Sequence, residues 1–284
     1  MKTLKYIWNH PLASRERFRA LRRYFGWQLS SRLIKCPIVL PFVENTVLVT
    51  ETSMTGATGN YYCGLHEFED MAFLLHFLRK DDLFIDVGAN VGSYTVLASG
   101  VVGARSLAFE PVPNTFERLQ RNIRTNKIDG LAEAKRLAIG SSQGEIHFST
   151  DNDTVNKVVS TDYVGSSEKV PVSSLDVLLE GLAPLMWKVD VEGFEIEVLK
   201  GSRSALRQES LQAILLECQS PEVNSLVTDA GFRKAAYEPF SRDLTVIDDE
   251  KAGRSANQLW VRDHNLVAQR CKTSRKFCVN NIQL

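Results

Sequence analysis

"LFIDVGANVGSYT", residues 83–95, decides the fold. An apolar run ends at Asp86, a turn bearing Gly88 and Gly92 follows, and a helical pattern opens near Ser93. Strand, glycine turn and helix in that order make the first unit of a doubly wound parallel sheet. The glycines let the backbone bend sharply and a ligand approach closely. The helix N-terminus adds free N–H groups and the positive end of its dipole. The spacing is G-x-x-x-G, and Asn90 stands where the dinucleotide fingerprint needs its middle glycine. That argues against a pyrophosphate pressed onto the turn. An acid at Asp86, ahead of the glycines, suits a ligand ammonium group. A plain turn with Asp86 capping the loop is the alternative.

Further along, "SLAFEP" ends in Glu110, 110 − 86 = 24 positions after Asp86. An acid at the end of the second strand of such a sheet meets ribose hydroxyls, and its two oxygens accept from both. In "WKVDVEG", residues 187–193, Lys188, Asp190 and Glu192 alternate, which places them on one side of a strand end. Gly193 permits a tight turn into a helix starting near Phe194. Ligands bind at the carboxyl ends of strands in open α/β sheets. The competing reading is a structural Lys188–Glu192 ion pair, with Asp190 capping the helix.

The rest of the chain supports this frame. Its 284 residues carry 44% hydrophobic and 24% charged side chains and a formal net charge of zero, as in a soluble globular protein. The pattern predicts strands at "RSLAFEP", "AEAKRLAIG", "LMWKVDV", "LQAILLECQ" and "NQLWVR", with helices between, and short extended segments at "GEIHFST" and "DTVNKVVS". Residues 36–62 read as β-rich, closing in a Gly/Thr turn region. Residues 1–35 read as helical and basic: Glu16 is the only acid among nine lysines and arginines. Ser14 is the expected cap, and Phe18, Leu21, Phe25 and Leu29 recur at helical spacing as a packing stripe. The domains expected are a basic helical and β-rich extension over 1–62, the doubly wound α/β domain over 63–263, and a polar surface tail over 264–284. Five cysteines without a C-x-x-C pair read as reduced thiols. No apolar run suits a bilayer crossing, and the N-terminus lacks a secretory pattern, so a cytoplasmic location is expected.

Together, "FIDVGANVGSYT", "AFEPVPNTF", "SSLDVLL" and "WKVDVEGFEIEVLKGS" resemble the FkbM family of S-adenosylmethionine-dependent methyltransferases. Upstream, "GLHEFEDMAFLLHFLRKDD" resembles the family's GxxE helix, with Glu67 as its acid. The resemblance covers roughly residues 60–262. It implies a class I methyltransferase fold, a Rossmann-like doubly wound sheet of seven strands, and O-methylation, commonly of sugar hydroxyls in glycans and natural products. Carried over position by position, Asp86, Gly88, Asn90 and Gly92 would hold the methionyl part of the cofactor, and Glu110 the ribose. Leu137 and Ala138 would wall the adenine, with Ser141 or a backbone carbonyl near its amino group. Asp190, Glu192 and Gly193 would sit at the mouth of the substrate pocket.

Methyl transfer needs an aligned oxygen nucleophile and an acceptor for its proton. Asp190 is the first candidate for base or orienter and Glu192 the second. His66 is the alternative, since a neutral imidazole suits the task. Lys188 and Glu67 are the substrate-binding candidates, Lys188 for an acidic sugar. His76 reads as a packed residue. No metal site is expected, because no H-x-x-x-H or C-x-x-C spacing exists, and a magnesium site from Asp190 with Glu217 has no support in the sequence. The partners expected are a small-molecule or glycan acceptor and no nucleic acid. The basic N-terminus packs on the domain, with a weak peripheral membrane contact as the minority reading. An NAD-dependent oxidoreductase is the alternative enzyme; Asn90 and the lack of a Tyr-x-x-x-Lys dyad speak against it. A catalytically silent scaffold is the non-enzyme alternative.

Overall fold

The computed structural model describes residues 2–51, 54–149, 158–159, 167–217, 220–247 and 257–284. Two helices, α1 (Lys2–Asn9) and α2 (Arg17–Leu33), precede a hairpin of β1 (Ile38–Pro41) and β2 (Val47–Thr50). Helices α3 (Thr55–Cys63) and α4 (Phe68–Phe77) lead into β3 (Leu83–Val87). Then come α5 (Ser93–Thr95), prolonged by a π-helical turn, β4 (Arg105–Phe109), α6 (Pro113–Thr125) and β5 (Ala132–Lys135). Four short strands, β6 (Ala138–Ile139), β7 (Gly144–Ser149), β8 (Val158–Val159) and β9 (Ser167–Ser173), form a separate small sheet. The chain continues through α7 (Leu175–Leu178), β10 (Met186–Val189), α8 (Glu195–Lys200), β11 (Ala213–Leu216), α9 (Pro221–Asp229), β12 (Arg233–Glu238), β13 (Asp243–Val246) and β14 (Gln258–Val261). It closes with α10 (His264–Lys272) and the pair β15 (Cys278–Val279) and β16 (Ile282–Gln283).

The main sheet runs β13-β12-β14-β11-β10-β3-β4-β5. Strands β11, β10, β3, β4 and β5 pair in parallel, and β14 runs antiparallel between β11 and β12. This is the expected class I sheet with one strand added, because β13 folds back onto β12. Helices cover both faces, so the central strands are apolar on both sides. Phe84 belongs to the core on one face and Ile85 to the core on the other. The residues just beyond β3, β4, β10 and β11 are Gly88, Glu110, Asp190 and Glu217, at the carboxyl end of the sheet.

Several expectations change. The Gly/Thr region is helix α3 from Thr55 onward, not a turn. Gly59 is needed there, since a Cβ would lie 2.4 Å from the His66 ring. Ser14 caps nothing, because a 3-10 turn spans Ala13–Arg15 and its hydroxyl donates to Pro11 O at 2.9 Å. "AEAKRLAIG" splits between two sheets, as β5 and β6. Of the α2 aromatics, Trp27 is buried, but Phe18 and Phe25 face outward, as does Leu29. Cys218 and most of the expected extended segment over 153–160 lie outside the described residues.

The C-terminal segment is structural, not a surface tail. Val267, Cys271, Phe277, Val279 and Leu284 all enter the main core. Arg270 pairs with Asp82, and Arg79 donates to Arg270 O. His76 is packed there too, between Tyr237 and Phe277. Phe277→Ala is therefore expected to cost about 3–5 kcal/mol, the range for emptying a buried aromatic site. Urea unfolding checks this. A change within about 0.5 kcal/mol, usual for surface positions, would return the segment to the surface.

Candidate active site

The turn after β3 is built by backbone constraints. Gly88 N and Ala89 N both donate to Phe109 O, at 3.0 and 2.9 Å, which ties the turn to the end of β4. Gly88 has φ +76°, and a Cβ there would lie 1.8 Å from Asp190 O. Only glycine lets the β3 and β10 loops touch in this way. Asn90 takes φ +52°, a left-handed conformation that asparagine tolerates. Its own Oδ1 accepts from Val91 N at 2.8 Å. Gly92 lines neither of the two cavities described below; its φ of +89° and a Cβ position 2.5 Å from Leu119 Cδ1 of α6 both call for glycine.

Glu110 is buried and fixed by two backbone donors, Asn90 N to Oε2 at 2.9 Å and Val112 N to Oε1 at 3.0 Å. Burial pushes its carboxyl up to about 7, aided by the Asp86 and Asp190 charges and opposed by the two N–H groups. Each oxygen keeps lone-pair capacity for a ligand hydroxyl. Glu110 lines a cavity of about 100 Å³ with Gly88, Asn90, Val112, Thr115, Phe148, Asp190 and Glu192. Leu137 and Ala138 are not in this lining. Ala138 packs in an apolar cluster with Val112 and Phe148, and these two line the cavity. Leu137 packs on the core beneath the sheet. Ser141 donates to Glu197 Oε2 at 2.6 Å.

A second cavity, of about 300 Å³, is lined by Asn60, His66, Glu67, Ser93, Tyr94, Lys188 and Glu217, among others. The two share Gly88, Asn90, Asp190 and Glu192.

At their junction Lys188 Nζ bonds Asp190 Oδ2 at 2.6 Å and lies 4.8 Å from the Tyr94 ring centre. The ion pair is thus Lys188–Asp190 and not Lys188–Glu192, and Asp190 does not cap the following helix. Lys188 is buried, which alone would lower its pKa; Asp190, Glu67 and Asp86 outweigh burial and raise it. For Asp190, burial is outweighed by the ammonium and by hydrogen bonds from Glu217 and Lys188, so its pKa falls. Glu217 goes the other way. Its hydrogen bond to Asp190, then burial, push it up to about 8, so the pair holds one proton at neutral pH. Glu192, exposed and with φ +52°, is raised by partial burial and by Asp190 and Glu195. Carboxylate oxygens of Asp190, Glu192 and Glu217 lie within 4.8 Å of one another, which makes them the residues that could hold a metal ion.

The remaining candidates divide. Asp86 lines neither cavity as described. It lies under the turn, level with Lys188, and accepts from Thr95 Oγ1 at 2.7 Å, while its buried Oδ1 has no protein partner. Burial raises its pKa. His66 lines the second cavity, with Nδ1 3.0 Å from Tyr6 Oη, and burial lowers its pKa, leaving the imidazole neutral. Glu67 accepts from Tyr94 Oη at 2.7 Å. Sequence reasoning did not single out Phe148 or Tyr94, and it named Glu217 only as an unsupported magnesium partner of Asp190. The two Glu110 oxygens for ribose hydroxyls and an apolar end at Phe148 and Val112 fit the expected nucleoside cofactor.

The family model of the methyltransferase FkbM domain matches residues 86–234. Hexuronic acid methyltransferase AglP of Haloferax volcanii is 32% identical over 170 residues, covering 58% of this chain and 69% of that protein. Methyltransferase sdnD of Sordaria araneosa is 28% identical over 207 residues, covering 58% of this chain and 79% of that protein. Among solved structures, precorrin-6y C5,15-methyltransferase of Geobacter metallireducens aligns with a TM-score of 0.39 at 12% identity, over 69% of this chain and 86% of that one.

Glu110→Gln is expected to weaken S-adenosylhomocysteine binding by roughly tenfold or more, since bonds to a charged acceptor contribute about 1.5–3 kcal/mol. The unliganded carboxyl protonates near pH about 7, and ligand hydroxyls favour its ionised form. Affinity should therefore fall as the pH drops through that value, and should do so less in the Gln variant. Titration calorimetry reads both. Equal affinities for the two proteins would remove the ribose from Glu110.

Proposed function

Because the chain belongs to the FkbM family of S-adenosylmethionine-dependent methyltransferases, we propose that it methylates a hydroxyl of a sugar or glycan-like acceptor, with the Asp190–Glu217 pair taking the proton. Support comes from the junction of the two cavities. Asp190 lines both, beside a buried lysine on one side and a proton-holding carboxyl on the other.

S-adenosylmethionine would supply a methyl group activated by its sulfonium charge, the broken sulfur–methyl bond leaving its electron pair on the neutral thioether of S-adenosylhomocysteine. Glu110 and the loop at Gly88 and Asn90 hold the nucleoside in the first cavity. The acceptor enters the second, where Asn60, Ser93, Glu67 and Glu217 offer groups that bond sugar hydroxyls. Lys188 fixes the Asp190 carboxylate, which accepts a hydrogen bond from the nucleophilic hydroxyl and so orients its oxygen toward the first cavity. As that oxygen gains its new bond, its proton passes to the pair, which holds one proton at neutral pH and has room for a second. Glu192 and His66 stand within the same cavity as the other proton acceptors.

The lining also bears on acceptor charge. Among the described residues, the basic side chains of the second cavity are Lys188, engaged by Asp190, and His66, kept neutral by burial. An acceptor carboxylate at the junction would meet Asp190, Glu192 and Glu217. Lys188 is engaged by Asp190 and so is not offered as a free cation to an acidic sugar, and a hydroxyl is the nucleophile these groups suit. The relative named for a hexuronic acid supports the sugar, and this lining supports the hydroxyl.

Asp190→Asn should lower methyl transfer by roughly 10²–10⁴-fold while S-adenosylhomocysteine affinity stays within about twofold. In the parent, the rate should rise as the pH climbs through about 8, where the pair loses its proton, and in Glu217→Gln that rise should vanish. Labelled S-adenosylmethionine with extracted glycans gives the readout. Near-parental turnover by Asp190→Asn would move the base to Glu192 or His66.

A further inference from the structure

Helix α2 turns an apolar stripe outward. Phe18, Phe25, Leu29 and Leu33 fall on one helical face and are 85%, 57%, 62% and 74% exposed. The inward face of the same helix carries Ala20 and Trp27, which pack in a small core with Ile7, Leu40 and Tyr62. The stripe is therefore not a displaced core face, since the helix already has one. Arg19, Arg22 and Arg32 are exposed beside it. None of the ion pairs among the described residues involves them, and Glu16, the one acid of this segment, is bound to Arg23.

We propose that this face docks the protein on an anionic lipid surface. The apolar side chains would enter the headgroup boundary while the arginines reach lipid phosphates, the arrangement of a helix lying in the interface plane. A second copy of the chain is a poorer occupant. A twofold contact through this face would bring its arginines against their own copies with no acid to answer them. The same helical unit reaches the acceptor side of the site, because Tyr6 of α1 lies 3.0 Å from His66 in the second cavity. A lipid-borne acceptor is the substrate class that suits this coupling, a point that rests on the acceptor reading above; the docking itself does not.

The full chain is sedimented with vesicles of phosphatidylcholine alone or mixed with phosphatidylglycerol, at low and at physiological salt. The parent should bind the anionic vesicles at least tenfold more tightly than the neutral ones, and more weakly as salt rises. Arg19→Glu with Arg22→Glu should weaken binding roughly 20-fold or more, given about fivefold for each basic residue near such a surface. Phe18→Ser, Phe25→Ser and Leu29→Ser together should abolish it. All these side chains are exposed, so each variant should keep the thermal shift given by S-adenosylhomocysteine, which reports the cofactor site separately. A parent that stays in the supernatant with anionic vesicles at low salt overturns the proposal. So does a parent dimer that the triple serine variant splits, which would assign the face to a second copy.

Discussion

Lys188 sits on a central strand, 3% exposed, with its ammonium 2.6 Å from Asp190 Oδ2. A charge in that position must be answered, and removing one partner of such a pair typically costs about 3–5 kcal/mol. The strand register sets Lys188 level with Asp86, so three charged groups crowd the carboxyl ends of β3 and β10. From this follow the depressed Asp190, the raised Glu217 and the Tyr94 ring beside the ammonium. The pair is costly as a stabilising device and purposeful as a way of keeping one carboxylate ionised and still at the meeting point of two cavities.

Backbone contacts convert the sheet into that meeting point. Phe109 O holds the turn after β3, and the turn's amide at Asn90 in turn holds Glu110. Gly88 brings the same turn against Asp190 O. The two cavities are therefore not independent. A side chain at position 88 would push on the carbonyl of the residue that faces both. The parallel register fixes which residues follow the four strands, and the chemistry is placed there.

Much of this was legible in the sequence. Asp86, Glu110, Lys188 and Asp190 each end or follow an apolar run, and the structure brings all four to one end of one sheet. Glu217 carried the same signal, since "LQAILLE" is an apolar strand ending in an acid, but without a glycine turn after it the residue did not stand out. What decides its role is the neighbour across the sheet, and strand order is not written locally. Helix α3 was hidden because Gly56 and Gly59 read as turn residues, while the reason for Gly59 is the imidazole of a residue seven positions on. Periodicity grouped Phe18, Leu21, Phe25 and Leu29 as one packing stripe, but Leu21 packs on the small core while the other three face outward. Phe148 enters the cavity from a strand of the small sheet, far from the motifs in sequence, and Ala138 lies in the same cluster one residue too deep. The closing segment looked polar because its few buried apolar residues are spread among basic ones.

The shared proton can be observed without knowing the acceptor. Infrared difference spectra of the protein between neutral pH and pH above about 9 report protonated carboxyl groups directly, since the Asp190–Glu217 pair should release its proton near pH 8. A carboxyl band present at neutral pH, lost with alkali and absent from Glu217→Gln is the expected result. A spectrum in which Glu217→Gln titrates as the parent does would contradict the pair, and with it the assignment of Asp190 and Glu217 as the groups that receive the acceptor's proton.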